Sequence, residues 1–161
     1  MEIIGDSIVN GVNPRGFDKK YLVKVRPYGG ATSEDVIDFV KPSVRKKPDH
    51  MLIHVGTNDL TNKVDTIKQS KTIIKYIKEN SPTTQICMSS ITIRADKKGL
   101  DSTITKINND LMKFCKNNDI AFIDNSNVNS SHLSRKKLHL NQKGLSVLAN
   151  NFITYLNTTK K

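Results

Sequence analysis

The chain has 161 residues, which fits one compact domain, and its 26 basic and 15 acidic residues give a net charge of +11. Hydrophobic residues make up 36% of the sequence, and its 8 glycines and 5 prolines follow no period, so a disordered polymer and a collagen-like repeat are both excluded. The positive charge favours acidic partners, either nucleic acid or an anionic lipid surface, although a lysine-rich coding bias would produce the same excess.

Apolar runs alternate with amphipathic stretches along the chain, a pattern typical of strand–helix units around a parallel sheet. The first strand is predicted at residues 2–4, and the second at residues 21–28, where apolar and polar side chains alternate. Thr32 and Asp35 stand at capping-box spacing and predict the start of a helix. We expect Pro42 to kink or end that helix, because proline has no N–H to donate.

The same alternation continues to the C-terminus. It predicts three further strands at 51–55, 85–90 and 120–123, and three helices at 65–79, 101–117 and 142–156. Polar loops are expected at 91–100 and 124–141. The whole chain, residues 1–161, is therefore predicted to be one three-layer α/β/α sandwich with a five-stranded parallel sheet, and the first strand begins so close to Met1 that a truncated N-terminus is expected.

The loops that follow the predicted strands carry the residues suited to chemistry. Ser7 offers a hydroxyl after the first strand, Gly30 a backbone N–H after the second, and Asn58 an amide donor after the third. His139 lies in the loop after the fifth strand and can act as a base near neutral pH. Ligands of such sheets bind beyond the carboxyl ends of the strands, so a nucleophile, a base and donors are expected to converge there, as acyl transfer requires.

Other polar residues are predicted to have structural roles. Asp6 and Asp59 flank the candidate catalytic residues and are expected to cap turns and fix the loops. His54 lies within an apolar strand and is predicted to be a core histidine, and Cys87 and Cys115 to be reduced core thiols. No cluster has metal-ligand spacing and no phosphate-binding glycine loop is present, so neither a metal nor another cofactor is expected.

Four sequence blocks resemble those of the SGNH hydrolases, also called the GDSL-like esterase/lipase family. They are the GDS block that contains Ser7, the Gly30 loop, the GTND block from Gly56 to Asp59, and the HLN block from His139 to Asn141. Within the family, the chain looks most like the esterase-like domains of some retrotransposons and of host genes derived from them.

This resemblance implies a flavodoxin-like fold and assigns a role to each block. Ser7 would be the nucleophile and His139 the general base. The oxyanion hole would consist of the backbone N–H groups of Ser7 and Gly30 and the side chain of Asn58. Asp6, Gly56, Asp59 and Asn141 would support these residues.

One position departs from the family pattern. The family places an aspartate three residues before the histidine, and here that position is Lys136. Loss of the orienting carboxylate from a Ser-His-Asp triad can lower kcat by about 10⁴. Three alternatives follow: a backbone carbonyl near Ser134 orients His139, another acid such as Asp124 substitutes, or catalysis is impaired.

The sequence therefore predicts a serine esterase that cleaves a small ester or acyl group. The alternative is a binding domain that keeps the fold, turns over poorly, and uses its basic surface for nucleic acid or anionic lipid. No apolar run approaches the roughly 20 residues needed to cross a bilayer, and the first residues lack the features of a signal peptide, so an intracellular, cytoplasmic location is expected. Nothing in the sequence predicts an oligomeric state.

Overall fold

A computed structural model describes residues 1–159, and a five-stranded sheet forms its centre. The strands are β1 (Glu2–Gly5), β2 (Lys24–Pro27), β3 (His50–His54), β4 (Gln85–Ser89) and β5 (Ala121–Ile123). They pair in the order β2-β1-β3-β4-β5, and every pair is parallel. The predicted doubly wound sheet is thereby confirmed, with the strand order of flavodoxin-like folds.

Helices cover both faces of this sheet. They are α1 (Ser33–Val44), α2 (Asp59–Asn62), α3 (Thr66–Asn80), α4 (Leu100–Asn117) and α5 (Gln142–Thr158), with 3₁₀ turns at Ser7–Gly11, Pro14–Gly16 and Ser130–His132. α1, α3 and α4 pack on one face, and α5 packs on the other together with the first 3₁₀ turn. Among residues 1–159, no helix has both the length and the apolar character to cross a membrane.

The strands are apolar on both sides because both faces of the sheet are buried. Along β1, Ile3 packs in the α5 layer and Ile4 in the layer of α1, α3 and α4, and neighbours in β3 and β4 alternate in the same way. Full burial of one such side chain contributes about 1.5–3 kcal/mol to folding. The helices present matching stripes, such as Ile73 and Ile77 of α3 and Leu148 of α5, all fully buried.

The predicted start of the second strand is wrong by three residues. β2 begins at Lys24, whose N–H donates to the carbonyl of Met1. β1 begins at Glu2, the residue after Met1. Tyr21 instead closes a turn by donating its N–H to Asp18, and Leu22 is 75% exposed. The alternating pattern therefore extends beyond the point where a neighbouring strand is present to pair with it.

Pro42 neither ends nor visibly interrupts α1, which continues to Val44. The proline stands in the last turn on the exposed side of the helix, where an unpaired carbonyl can bind water. The predicted helix start is confirmed, because Thr32 and Asp35 form a reciprocal capping box.

The carboxyl ends of β2, β1 and β3 lie side by side. The Tyr28 N–H donates to the carbonyl of Gly5 at 2.8 Å, and the Asp6 N–H donates to the carbonyl of His54 at 3.2 Å. The loops after these three strands consequently begin as immediate neighbours. Strand order reverses between β1 and β3, which is where folds of this kind bind their ligands.

Candidate active site

Ser7 and His139 meet at this edge of the sheet, although 132 residues separate them in the sequence. The distance between Ser7 Oγ and His139 Nε2 is 3.1 Å, so the imidazole can accept the hydroxyl proton. Ser7 is half-buried and His139 is exposed, which leaves the pair open to a ligand. A cavity of about 300 Å³ adjoins them, lined by Ser7, Ile8, Asn10, Gly11, His139, Leu140 and Leu145.

The turn that carries Ser7 is held by its two preceding residues. Gly5 must be glycine, because an added Cβ would lie 2.4 Å from the carbonyl oxygen of His54. Asp6 caps the 3₁₀ turn, with its Oδ1 accepting the Ile8 N–H at 2.9 Å. Ser7 is the first residue of that turn, where the backbone N–H has no partner within the turn.

The carboxyl group of Asp6 is fully buried, and its second oxygen has no hydrogen-bond partner among the described residues. Burial raises the pKa of Asp6 to about 7, and the nearby carboxylate of Asp59 acts in the same direction. The N–H groups of Ile8 and Thr57 and the guanidinium of Arg94 oppose this rise. Asp6 therefore keeps its proton well above the usual pH range of an aspartate.

Gly30 lies in the turn between β2 and α1. Its φ of +78° is the left-handed conformation that glycine adopts without strain, and open space surrounds the position of a Cβ. The turn is closed by a bond from the Ala31 N–H to the carbonyl of Tyr28 at 3.1 Å. No hydrogen bond to a described residue uses the Gly30 N–H, which is free to bind a ligand.

Asn58 connects the loop after β3 to the loop after β2. Its Nδ2 donates to the carbonyl of Ala31 at 2.9 Å, so one amide proton is used and the second is available. Gly56 precedes it with a φ of +125°, and a Cβ there would lie 2.6 Å from Ile91 Cδ1. The amide of Asn58 is thus fixed close to the Gly30 turn.

Asp59 holds α1, α2 and α3 together from a buried position. Its carboxylate accepts the Ser33 N–H at 2.8 Å, the Ser33 hydroxyl at 2.6 Å and the Thr66 hydroxyl at 2.7 Å. The predicted structural role of Asp59 fits these contacts, since all three donors lie in elements that flank the Asn58 loop.

Asp59→Ala is expected to lower the free energy of unfolding by about 3 kcal/mol, because it leaves three buried donors unpaired. Urea denaturation of the wild type and the variant measures this loss. Asp65→Ala provides a matched control, since Asp65 is exposed and caps α3 through a single bond to the Lys68 N–H. That control should lose about 1 kcal/mol, and equal losses in the two variants would contradict the bridging role of Asp59.

The segment that carries His139 is a turn whose two ends are joined by backbone contacts. The Ser134 N–H donates to the carbonyl of His139 at 2.7 Å, and Leu133 and Leu140 form an antiparallel bridge. Asn141 anchors it: Nδ2 donates to the carbonyls of Ser131 and Leu133, and Oδ1 caps α5 at the Gly144 N–H. Asn141 therefore positions the histidine segment on the end of the last helix.

Neither candidate for orienting the imidazole contacts it. The carboxylate of Asp124 accepts the N–H and hydroxyl of Ser126, and the Ser134 carbonyl accepts the Lys137 N–H at 2.8 Å. Lys136 is exposed in the same turn. Within residues 1–159, no hydrogen-bond partner is found for His139 Nδ1. The structure thus brings together a serine–histidine pair without a third member.

Arg94 is a feature of the site that sequence reasoning missed. This side chain is only 4% exposed; its Nη1 donates to the carbonyl of Thr57 at 2.8 Å, and its Nε and Nη2 bind both oxygens of Asp96. It ties the loop after β4 to the loop that carries Asn58. The available signal was an aspartate two residues after an arginine, within a segment that otherwise reads as a basic loop.

His54 is a core histidine, as predicted. It is fully buried, its Nδ1 lies 2.9 Å from the Ser89 hydroxyl, and burial lowers its pKa to about 4, so it is neutral. The part of the chain that the structure describes contains no group of three or more His, Cys, Asp or Glu side chains arranged to hold a metal ion.

One comparison with known proteins identifies a family. The sequence profile described as the GDSL-like lipase/acylhydrolase family matches residues 3–146. No curated protein matches the chain.

Solved structures share the fold at low sequence identity. A GDSL-like lipase from Bacteroides thetaiotaomicron superposes with a TM-score of 0.83 at 17% identity, over 99% of this chain and 88% of that one. A lipase/acylhydrolase from Enterococcus faecalis gives 0.77 at 18% identity, with 99% and 97% covered. An acetyl xylan esterase gives 0.79 at 17% identity, with 97% and 100% covered. These structures share only the fold, and it is the profile match over residues 3–146 that shows that the chain belongs to the GDSL-like lipase/acylhydrolase family, a family of hydrolases.

Proposed function

We propose that this chain hydrolyses small carboxylic esters with Ser7 as the nucleophile and His139 as the general base. The observation that carries the proposal is the 3.1 Å distance between Ser7 Oγ and His139 Nε2 at the carboxyl edge of the sheet. In the first step, Ser7 Oγ attacks the ester carbonyl while His139 takes the hydroxyl proton, and that proton then passes to the leaving alcohol. Water activated by His139 cleaves the acyl-enzyme and restores Ser7.

Three donors surround the position at which negative charge would develop on the carbonyl oxygen. They are the backbone N–H groups of Ser7 and Gly30 and the second amide proton of Asn58. The loops that carry them begin side by side on neighbouring strands, and Asn58 is bonded to the Gly30 turn through Ala31. Donors fixed in advance stabilise an oxyanion without reorganisation during the reaction.

Without a carboxylate partner, His139 works as one half of a dyad. A triad that has lost this carboxylate can turn over about 10⁴-fold more slowly, so we expect modest rates on activated esters. A small acyl group suits the cavity of about 300 Å³ beside Ser7. Acetyl esters are therefore the first substrates to test, a choice that the acetyl xylan esterase of similar fold also supports.

A fluorophosphonate probe tests the proposal directly, because an activated serine displaces the fluoride and keeps the phosphonyl group. We expect mass spectrometry to find the added mass on the peptide that contains Ser7, and to find none in Ser7→Ala. Labelling that survives in Ser7→Ala would refute the assignment of the nucleophile. Absence of labelling in the wild type would instead favour a binding domain for nucleic acid or anionic lipid.

A further inference from the structure

Five basic side chains lie on two segments next to His139. Lys97 and Lys98 follow β4, and three more, which form an Arg-Lys-Lys triplet, precede His139 in its own turn. The segments are joined where the Ala95 N–H donates to the carbonyl of Lys137 at 2.8 Å. We call this set the basic rim; its members are Lys97, Lys98, Arg135, Lys136 and Lys137, and all five are exposed.

Three acidic residues in the loops of the site are already engaged. Asp96 binds the buried guanidinium of Arg94 through both oxygens, and Asp59 accepts three hydrogen bonds inside the protein. Asp6 is buried and holds its proton into the neutral range. None of the five cations of the rim forms an ion pair with an acidic residue that the structure describes. Their charge is therefore exposed to solvent, on the turn that carries His139 and on the segment bonded to that turn.

The backbone fixes the triplet close to the catalytic histidine. The bond from the Ser134 N–H to the His139 carbonyl closes the segment that holds it, and Lys137 occupies a left-handed conformation with φ +57°. A lysine in that conformation is uncommon, and its N–H is used to bond Ser134. The three cations thus stand within four residues of the imidazole on a closed turn.

A second Arg-Lys-Lys triplet shows that basic charge is not gathered on one face. Arg45, Lys46 and Lys47 are exposed between α1 and β3, at the amino ends of the strands, and Lys47 also has a left-handed φ of +46°. An extended polyanion or a membrane would need its cations on one continuous surface. The two triplets instead lie at opposite edges of the sheet, so the basic rim fits a compact anion bound at the active site.

We propose that the natural substrate is a small ester that carries an anionic group, and that the basic rim binds this group while Ser7 attacks the ester carbonyl. This inference rests on the proposed esterase function and adds the chemical class of its substrate. Lys136 stands where the family has its aspartate. On this proposal, the position no longer stabilises the imidazole and instead provides a cation that attracts the substrate.

Two acetyl esters that differ in one charge test the inference: 4-acetoxybenzoate, which is an anion, and its neutral methyl ester. The variant Arg135→Gln/Lys136→Gln/Lys137→Asn removes the triplet beside His139, with asparagine chosen because it tolerates a left-handed backbone. Arg45→Gln/Lys46→Gln/Lys47→Asn removes the same three residue types from the opposite edge and is the matched control. The measured quantity is a ratio: kcat/KM for acetate release from the anionic ester, divided by kcat/KM for acetate release from the neutral ester.

At low salt, we expect the ratio to fall about tenfold in the 135–137 variant and by less than twofold in the 45–47 control. The difference should shrink in 0.5 M NaCl, where the Debye length is only a few ångströms. If the 135–137 variant does not fold, Lys136→Gln alone should lower the ratio about threefold.

Equal ratios in wild type, 135–137 variant and control, with the neutral ester still hydrolysed, would overturn the inference and leave the esterase function intact. The same unchanged ratio together with lost binding to anionic vesicles or to an RNA oligonucleotide would overturn it in favour of a macromolecular partner. Hydrolysis of neither ester by the wild type would overturn both proposals.

Discussion

Ser7→Ala is expected to lower kcat on p-nitrophenyl acetate by at least about 10², and to abolish the acyl-enzyme. In a complete triad, loss of the nucleophile costs about 10⁶, but the members of a triad act as a unit, and most of that loss already follows removal of the carboxylate alone. Because His139 has no carboxylate partner among the described residues, the remaining effect of Ser7 starts at the lower value. A loss near 10⁶ would indicate that the imidazole is oriented by other means.

Steady-state rates and the pre-steady-state burst of nitrophenol measure this effect. Ser102→Ala is a suitable control, because Ser102 is exposed on α4, and it should retain the wild-type rate and burst. Wild-type turnover in Ser7→Ala would place the reaction elsewhere on the protein.

Asn58→Ala is expected to lower kcat by about 10²–10³ with a small change in KM, since removal of one oxyanion donor acts on the transition state. The variant also loses the bond from Asn58 Nδ2 to the Ala31 carbonyl, which is half-buried and worth about 1 kcal/mol. The fold should therefore survive, and thermal unfolding verifies that it does.

The neighbouring Asn62→Ala is the matched control for Asn58. Asn62 is an exposed asparagine of α2 whose amide donates to the carbonyl of Asn58 at 2.7 Å, so its loss perturbs the same loop without removing the donor. We expect Asn62→Ala to keep kcat within about threefold of the wild type. If the two variants lose equal activity, the amide of Asn58 does not act on the oxyanion.

The sheet and the general place of the site could be predicted because both depend on patterns that are local in the sequence. Strands buried on both faces read as short apolar runs, and parallel strands gather their following loops at one edge. Ser7, Asn58 and His139 each lie in a segment that follows a strand, so topology alone suffices to bring them to the same edge. The roles of these residues, the single-domain extent of the chain and its likeness to retrotransposon domains stay predictions.

Features that depend on contacts between distant segments could not be predicted. The start of β2 is set by where β1 begins, and the burial of Arg94 accompanies bonds to the carbonyl of Thr57, which is distant in the sequence, and to the carboxylate of Asp96. The short helix α2 has four residues, too few to show a periodic pattern. α1 tolerates Pro42 because the residue faces solvent in the last turn, and its position there depends on where the helix ends.

The burial of Asp6 and His54 has a consequence for how the protein responds to acid. Folding raises the pKa of Asp6 from 3.8 to about 7 and lowers the pKa of His54 from 6.5 to about 4. Between about pH 4 and pH 6.5, unfolding therefore releases a proton from Asp6 and lets His54 take one up. Taken alone, Asp6 makes stability fall as pH rises through this range, and His54 makes it rise.

The two groups thus cancel, and together they leave the number of bound protons unchanged on unfolding. Asp6→Asn removes one half of this exchange, so the variant should lose stability as the pH falls from 6.5 to 4, while the wild type responds less steeply. Urea midpoints measured across that range compare the two slopes, and identical slopes would show that the proton of Asp6 is not retained in the fold. The buried acid that follows β1 and the buried base that ends β3 therefore offset each other's effect on the pH dependence of stability.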